Sequence, residues 1–152
     1  MKQYIVLLLT ACFLNTIAQN QIEDPVDWSF SVEQTSKDIY SLIIQADIES
    51  GWNVYSQHVG DDGPIPTAFS FSDSETFELI GSVIEPETKS KYDPVFQMSL
   101  SSFQNKVKFV QKIKLLDLTT SEIRGELEFM ACNATMCLPP EYVDMVFNLK
   151  KK

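Results

Sequence analysis

The stretch Ile39-Tyr-Ser-Leu-Ile-Ile-Gln-Ala-Asp-Ile48 decides the fold, because apolar residues recur in it at every second position. Leu42, Ile44, Ala46 and Ile48 therefore fall on one side of an extended chain, in which successive side chains point to opposite faces. This alternation is typical of a β-strand with one buried and one solvated face. We predict a strand over residues 39–48.

The same period of two recurs in shorter segments, which are separated by the glycine, proline, asparagine and serine residues of turns. No stretch of ten residues shows a helical period. Gly51 closely follows the strand predicted over residues 39–48, and we predict a hairpin between residues 39–48 and 52–55. The predicted strands cover residues 28–32, 39–48, 52–55, 68–71, 77–80, 98–103, 107–115, 123–129 and 143–149. Short strands at this spacing predict an all-β sandwich of two sheets.

Two segments are predicted to be loops. Residues 60–66 read Gly-Asp-Asp-Gly-Pro-Ile-Pro, and residues 85–94 are charged and contain two prolines. Both compositions favour turns over regular strands. Long surface connections of this kind often carry function.

The amino terminus predicts export. Met1-Lys2-Gln3 is followed by about eleven apolar residues, fewer than the roughly twenty needed to span a bilayer. Small residues at Thr16 and Ala18 predict a signal peptide over residues 1–18 and a single domain over residues 19–152. In a second interpretation, Leu9-Thr-Ala-Cys12 is a lipoprotein processing box, and Cys12 carries a lipid anchor. Both interpretations export the chain to an oxidising compartment, the bacterial periplasm or beyond it.

Composition excludes several classes of protein. Hydrophobic residues make up 44% of the chain, too many for a disordered segment. The formal net charge of −9 repels phosphate backbones and excludes nucleic-acid binding. No segment after the leader is long and apolar enough to be a transmembrane helix, so we expect none in the mature chain.

Cys132 and Cys137 are the two cysteines outside the leader. Four residues separate them, so a disulfide is feasible if the loop turns back on itself. So small a ring restrains the unfolded chain by only about 2 kcal/mol, against roughly 3 kcal/mol for a 15-residue loop. Pro139 and Pro140 restrict the backbone that follows the ring. The chemistry leaves two alternatives open, a permanent staple and an exchangeable redox pair.

We predict neither a metal nor a cofactor. His58 is the single histidine, and we expect it on the surface. Together with two cysteines it falls short of the four ligands of a tetrahedral site. The chain also lacks a nucleophile elbow and a glycine-rich phosphate loop.

The chain resembles the family of amino-terminal periplasmic domains of the thiol:disulfide interchange protein DsbD. The resemblance rests on Cys132 and Cys137 followed by Pro139-Pro140-Glu141, on Gly51-Trp-Asn-Val-Tyr55, and on Lys89-Ser-Lys-Tyr-Asp93. It extends over residues 25–149. It implies an immunoglobulin-like sandwich, in agreement with the strand pattern.

The resemblance also implies a role as an electron carrier, a thiol–disulfide oxidoreductase. Cys132 and Cys137 would be the redox pair, Tyr92 would belong to a cap that shields the pair, and Tyr55 would line the site. The implied partners are thioredoxin-like periplasmic proteins and a separate membrane redox protein. Two features depart from the family pattern. Its cysteines are spaced by five residues, and its membrane and thioredoxin-like domains have no counterpart in this sequence.

The neighbours of the pair predict slow thiols. Within ten positions of either cysteine, Arg124 is the only basic residue, and a reactive thiolate needs nearby positive charge. We therefore expect a partner's low-pKa thiolate to drive exchange, and analogy with the family points to Cys137 as the sulfur attacked. The competing hypothesis is a non-catalytic, exported immunoglobulin-like binding module with a structural disulfide and, in one form, a lipid anchor.

Overall fold

The computed structural model describes residues 23–60 and 62–149, and all of its regular elements are β-strands. The predicted signal peptide and Cys12 lie outside these residues. The twelve strands are β1 (Val26–Gln34), β2 (Ile39–Ile48), β3 (Asn53–Tyr55), β4 (Ala68–Phe71), β5 (Phe77–Ile84), β6 (Lys91–Asp93), β7 (Met98–Leu100), β8 (Ser102–Phe103), β9 (Lys106–Leu115), β10 (Glu122–Phe129), β11 (Ala131–Cys132) and β12 (Glu141–Asn148). In the described part of the chain, no helix could cross a bilayer.

Two larger antiparallel sheets form the sandwich. The first has the order β1-β2-β9-β5, and the second has the order β12-β10-β4. Their inner faces meet through aromatic side chains. The rings of Phe30 and Phe147 are 5.6 Å apart, and those of Phe69 and Phe109 are 5.0 Å apart. The prediction of an all-β, immunoglobulin-like sandwich is confirmed.

The core follows from the alternation in the sequence. Leu42, Ile44 and Ala46 of β2 are fully buried, whereas the residues between them are partly exposed. Gly125 lies in β10, where the neighbouring strands β4 and β12 of the same sheet leave no room for a side chain. A β-carbon there would collide with the Ser70 carbonyl oxygen and lie 2.8 Å from Met145 Cε.

The predicted hairpin between residues 39–48 and 52–55 is wrong. Strand β3 pairs with β8 and β11, not with β2. The physical reason is that β2 has no free edge, since β1 and β9 occupy both of its sides along almost its whole length. Gly51, with a φ of +88°, turns the chain away, and the following Trp52 is buried in the core.

Strand bounds also differ from the predictions elsewhere, and β11 was not predicted. The segment 85–94, predicted to be a loop, contains β6, which pairs with β7. The segment 98–103 is divided into β7 and β8 at Ser101, whose carbonyl oxygen accepts the N–H of Ser56. Strand β5 continues to Ile84 past an irregularity near Gly81, which has a φ of +69°. The small sheet β11-β3-β8 and the hairpin β6-β7 together build the site.

Candidate functional site

A disulfide joins Cys132, at the end of β11, to Cys137. The two Cα atoms are 4.0 Å apart, and the residues face each other as an antiparallel bridge. The sequence prediction that the loop turns back far enough for a disulfide is therefore met. The backbone of the ring thus brings the two cysteines together by β-type pairing as well as by the disulfide.

Hydrogen bonds close the ring in addition to the disulfide. Oδ1 of Asn133 accepts the Thr135 N–H at 2.9 Å, the Thr135 hydroxyl at 2.9 Å and the Met136 N–H at 3.0 Å. The Asn133 N–H also donates to the Met136 carbonyl oxygen, and the Leu138 N–H donates to that of Ala131, both at 2.9 Å. Asparagine favours such local turns because its short side chain can bond to backbone N–H groups nearby.

The two sulfur-bearing residues differ in exposure. Cys132 is 0% exposed, whereas Cys137 is half-buried. The difference arises because β11 pairs with β3, which places Cys132 opposite Asn53. Cys132 thereby joins a small apolar cluster with Tyr55 and Leu100 that is separate from the main core. A docking protein would meet Cys137 first.

The hairpin β6-β7, named the cap hairpin after the segment that the resemblance implies, lies next to this cluster, and Asp93 holds it in two ways. Its Oδ1 accepts the N–H groups of Val95 and Phe96 at 2.9 and 3.2 Å, which builds the hairpin turn. Its Oδ2 accepts the hydroxyl of Tyr55 at 2.7 Å. One carboxylate therefore shapes the cap and ties it to the buried side chain beneath.

Tyr55 is the floor of the site. Its ring is fully buried and lies edge-on to Phe96 of the cap, with ring centroids 5.9 Å apart. Burial raises the pKa of the Tyr55 phenol far above its usual value, and the acceptor Asp93 raises it further. The phenol therefore stays protonated and donates to Asp93 throughout the physiological range.

The chain segments on both sides of Tyr55 are also held. The Thr67 hydroxyl donates to the Tyr55 carbonyl oxygen at 2.6 Å. The Ser56 hydroxyl and the Gln57 N–H both donate to the carboxylate of Glu85, the latter at 2.9 Å. These bonds fix the loop that leaves β3 and so fix the position of the floor.

The residues singled out from the sequence come together to different degrees. Tyr55 lies in the same cluster as Cys132. Tyr92 is on the outer side of the cap, 67% exposed, and lines a cleft with Asn133 and Ala134 of the ring. Lys91 lines this cleft too, so a cation distant in sequence stands beside the ring.

Two site residues were missed by sequence reasoning, Asp93 and Asn133. The available signal was local, because Asp and Asn near Pro and Thr are typical of side-chain-to-backbone turns. Arg124, the one cation near the pair in sequence, bonds to Glu122 at 2.6 Å. Within residues 23–60 and 62–149, no group of three or more His, Cys, Asp or Glu side chains is placed to hold a metal ion.

Comparison with known proteins identifies a family. The family model described as thiol:disulfide interchange protein DsbD, N-terminal, matches residues 19–148. Among curated protein sequences, none matches significantly.

Two solved structures share the fold. The DsbD N-terminal domain of Neisseria meningitidis in its reduced form is 11% identical, with a TM-score of 0.58 over 84% of this chain and 87% of that one. The N-terminal periplasmic domain of ScsB from Proteus mirabilis is 17% identical, with a TM-score of 0.56 over 84% of this chain and 47% of that one.

Proposed function

This chain belongs to the family of N-terminal domains of the thiol:disulfide interchange protein DsbD, and on that premise we propose that it is an exported thiol–disulfide exchange domain. Cys132 and Cys137 form its redox pair. The observation that carries the proposal is the closure of the ring by the hydrogen bonds of Asn133 and its neighbours. A bond that is not needed to hold its loop closed is free to be broken and remade.

The unequal exposure of the two cysteines supports a direction of attack. To load the domain, a donor's low-pKa thiolate attacks the sulfur of Cys137 in the ring disulfide and the thiolate of Cys132 leaves; the donor's second thiolate then attacks the donor sulfur of this mixed disulfide and frees Cys137. Delivery is the reverse: the thiolate of Cys137 attacks a sulfur of the acceptor's disulfide and forms a mixed disulfide, and one thiolate of this partner leaves. The thiolate of Cys132 then attacks the sulfur of Cys137 and releases the second partner thiolate. Two electrons pass to the partner, and the ring disulfide forms again.

The family match supports a proposal for the partners and the compartment. We propose thioredoxin-like proteins of the periplasm as acceptors and a separate membrane redox protein as donor. The periplasmic domain of ScsB is a structural relative from that compartment, and an oxidising compartment suits a disulfide. Cleavage after Ala18 or lipidation of Cys12 would decide whether the domain is released or anchored.

The cap supports protection of the pair. The hairpin β6-β7 packs through Phe96 and Met98 against the cluster that contains Cys132, and the bond from the Tyr55 hydroxyl to the Asp93 carboxylate holds the hairpin in place. We propose that Tyr92, on the outer side of the cap, meets a docking partner, which lifts the hairpin and exposes Cys137. Small oxidants lack the contact area to do the same.

Complete burial of Cys132 favours a second candidate, a binding module in which the disulfide is a permanent staple. The reduction potential separates the two functions. A value far below about −300 mV marks a structural bond, and a higher value marks an exchangeable one.

Single-cysteine variants test the mechanism. A thioredoxin that retains only its attacking cysteine, activated as a mixed disulfide with thionitrobenzoate, is mixed with reduced Cys132→Ser or Cys137→Ser protein. We expect the Cys132→Ser protein, which keeps Cys137, to form the protein–protein disulfide readily and the Cys137→Ser protein to react slowly. Equal, slow reaction of both variants would contradict the exchange function.

A further inference from the structure

Sulfur atoms are concentrated around the disulfide. The described residues include six cysteines and methionines, and five of them lie at this site. Met98 and Met130 pack against the cluster that contains Cys132, as does Cys137, and Met136 belongs to the ring itself. The sixth, Met145, is buried in the main core.

These five residues also differ in depth. Met136 is 45% exposed, Cys137 is half-buried, and Cys132 is fully buried. The Met136 N–H bonds to Asn133, so this residue is held at the rim of the ring. Met98 and Met130 lie on the inner side with Cys132. The five sulfur-containing residues therefore extend from the surface to the interior.

The donor set points to one kind of metal. Thiolates bind both Cu(I) and zinc, but thioethers are soft, uncharged ligands that suit Cu(I), whereas zinc sites are completed by harder imidazole or carboxylate groups or by further thiolates. Those harder ligands are not gathered here in the described ranges of the chain. We propose that the reduced Cys132–Cys137 pair, with the thioethers of Met98 and Met130, binds one cuprous ion, which enters through Met136.

The binding step balances without electron transfer. Both cysteine thiols lose a proton and bind the ion as thiolates, so two protons are released and copper remains Cu(I). The thiolates and the ion together carry one negative charge. Thioethers add donors without adding charge, which suits an apolar surrounding where a further anion would be costly. The oxidised disulfide lacks thiolates, so the site exists only in the reduced protein.

A titration tests the proposal. The protein is reduced chemically, and the reductant is removed under anaerobic conditions. The reduced protein is then titrated with the Cu(I) complex of bathocuproine disulfonate, whose absorbance decreases as copper passes to the protein. We expect about one copper ion per reduced chain and none per oxidised chain, since metal binding needs deprotonated cysteine. Failure of the reduced chain to take copper, or equal uptake by the oxidised chain, would overturn the site.

Methionine variants test the thioethers. The double variant Met98→Leu, Met130→Leu keeps the side-chain volume and should fold, and we expect it to bind Cu(I) about tenfold more weakly or worse. Met145→Leu, in the main core, is the matched control and should bind like the wild type. An unchanged affinity in the double variant would remove the thioethers from the site.

A second measurement uses the rate of oxidation. Copper holds both sulfurs, so the loaded protein should be reoxidised by glutathione disulfide about tenfold more slowly than the copper-free protein. Equal rates would count against binding through both cysteines. Copper titration needs no partner, and mixed-disulfide trapping needs no copper, so this site and the exchange function can fail separately.

Discussion

The phenolic oxygen of Tyr55 lies 2.7 Å from Oδ2 of Asp93, across 38 positions of sequence. The bond joins the fully buried floor of the site to the cap hairpin. Since the same carboxylate also shapes the hairpin turn through Val95 and Phe96, the cap cannot lift without losing the bond to its floor.

Asp93→Ala should open the cap. The buried phenol would lose its acceptor, and an unsatisfied buried donor costs about 1 to 3 kcal/mol. We expect the variant to be less stable by about that amount, and its disulfide to be reduced by dithiothreitol about tenfold faster, because 1.4 kcal/mol corresponds to a factor of ten. Kinetics of reduction and hydrogen exchange over residues 91–100 measure both effects.

Asp144→Ala is the control for this variant, because Asp144 is an exposed carboxylate on β12, away from the cap. It should leave both the rate of reduction and the exchange of residues 91–100 unchanged. Unaltered hydrogen exchange over these residues in Asp93→Ala would show that the Tyr55–Asp93 bond does not hold the cap in place.

Tyr55 should make stability fall at alkaline pH. Its folded pKa is raised by burial and by Asp93, so the folded state holds the proton more tightly than the unfolded chain. The stabilisation is complete below the unfolded pKa of about 10 and declines as pH rises from there towards the folded value. The difference in unfolding free energy between wild type and Tyr55→Phe should shrink by at most about 1.4 kcal/mol per pH unit above pH 10.

Urea unfolding of both proteins from pH 7 to pH 11 measures this difference. Other tyrosines and lysines titrate in both proteins and cancel in the comparison. A difference that stays constant through pH 11 would show that the Tyr55 proton is not linked to folding.

Asn133→Ala should weaken the disulfide. Asn133 accepts three hydrogen bonds within the ring. We expect these bonds to persist in the reduced loop, so their loss should let the thiols move apart and make ring closure costlier. We expect a cost of about 1 to 2 kcal/mol, equivalent to a reduction potential about 20 to 40 mV less negative. Equilibration with glutathione buffers measures the shift.

Thr135→Val is the graded control, because it removes the hydroxyl donor but keeps the backbone N–H that bonds to Asn133. Its shift should be smaller than that of Asn133→Ala. If Asn133→Ala left the potential at the wild-type value, the hydrogen bonds would not hold the reduced ring.

Gly125→Ala should destabilise the sandwich without touching the site. The added methyl group would press on the Ser70 carbonyl and on Met145 Cε, and overpacking a core costs about 1 to 3 kcal/mol. Thermal unfolding measures the loss. Gly60→Ala is the matched control, because its β-carbon would meet only Met98 Cε at an ordinary 4.0 Å; equal stability of the two variants would contradict the packing argument.

The sandwich could be predicted because its signal is local. Alternation such as Leu42, Ile44 and Ala46 states which face of a strand is buried, and strands β2, β9 and β10 were located by it nearly to the residue. Pairing is not local. A turn at Gly51 is compatible with pairing of β3 to any free strand edge. The alternation therefore could not reveal that β3 pairs with β8 and β11.

The site was predictable in its covalent part only. Cys132 and Cys137 are conspicuous by type and spacing, and Tyr55 was reached through the family resemblance. Asp93 acts through Tyr55, 38 residues away, and Lys91 lines the ring cleft although it lies far from both cysteines in sequence. Contacts between distant segments are set by the fold, and the residues next to each segment in sequence do not predict them.

The hydrogen-bonded ring has a consequence for the proposed electron transfer between this domain and its partners. If, as proposed, Asn133 keeps the loop closed without the sulfur–sulfur bond, the oxidised and reduced domains would have nearly the same shape. A docking protein would then find no difference in shape between them, and the proposed donor and acceptor could use the same surface. The direction of electron transfer would then be set by the reduction potentials of the proposed donor and acceptor relative to this domain.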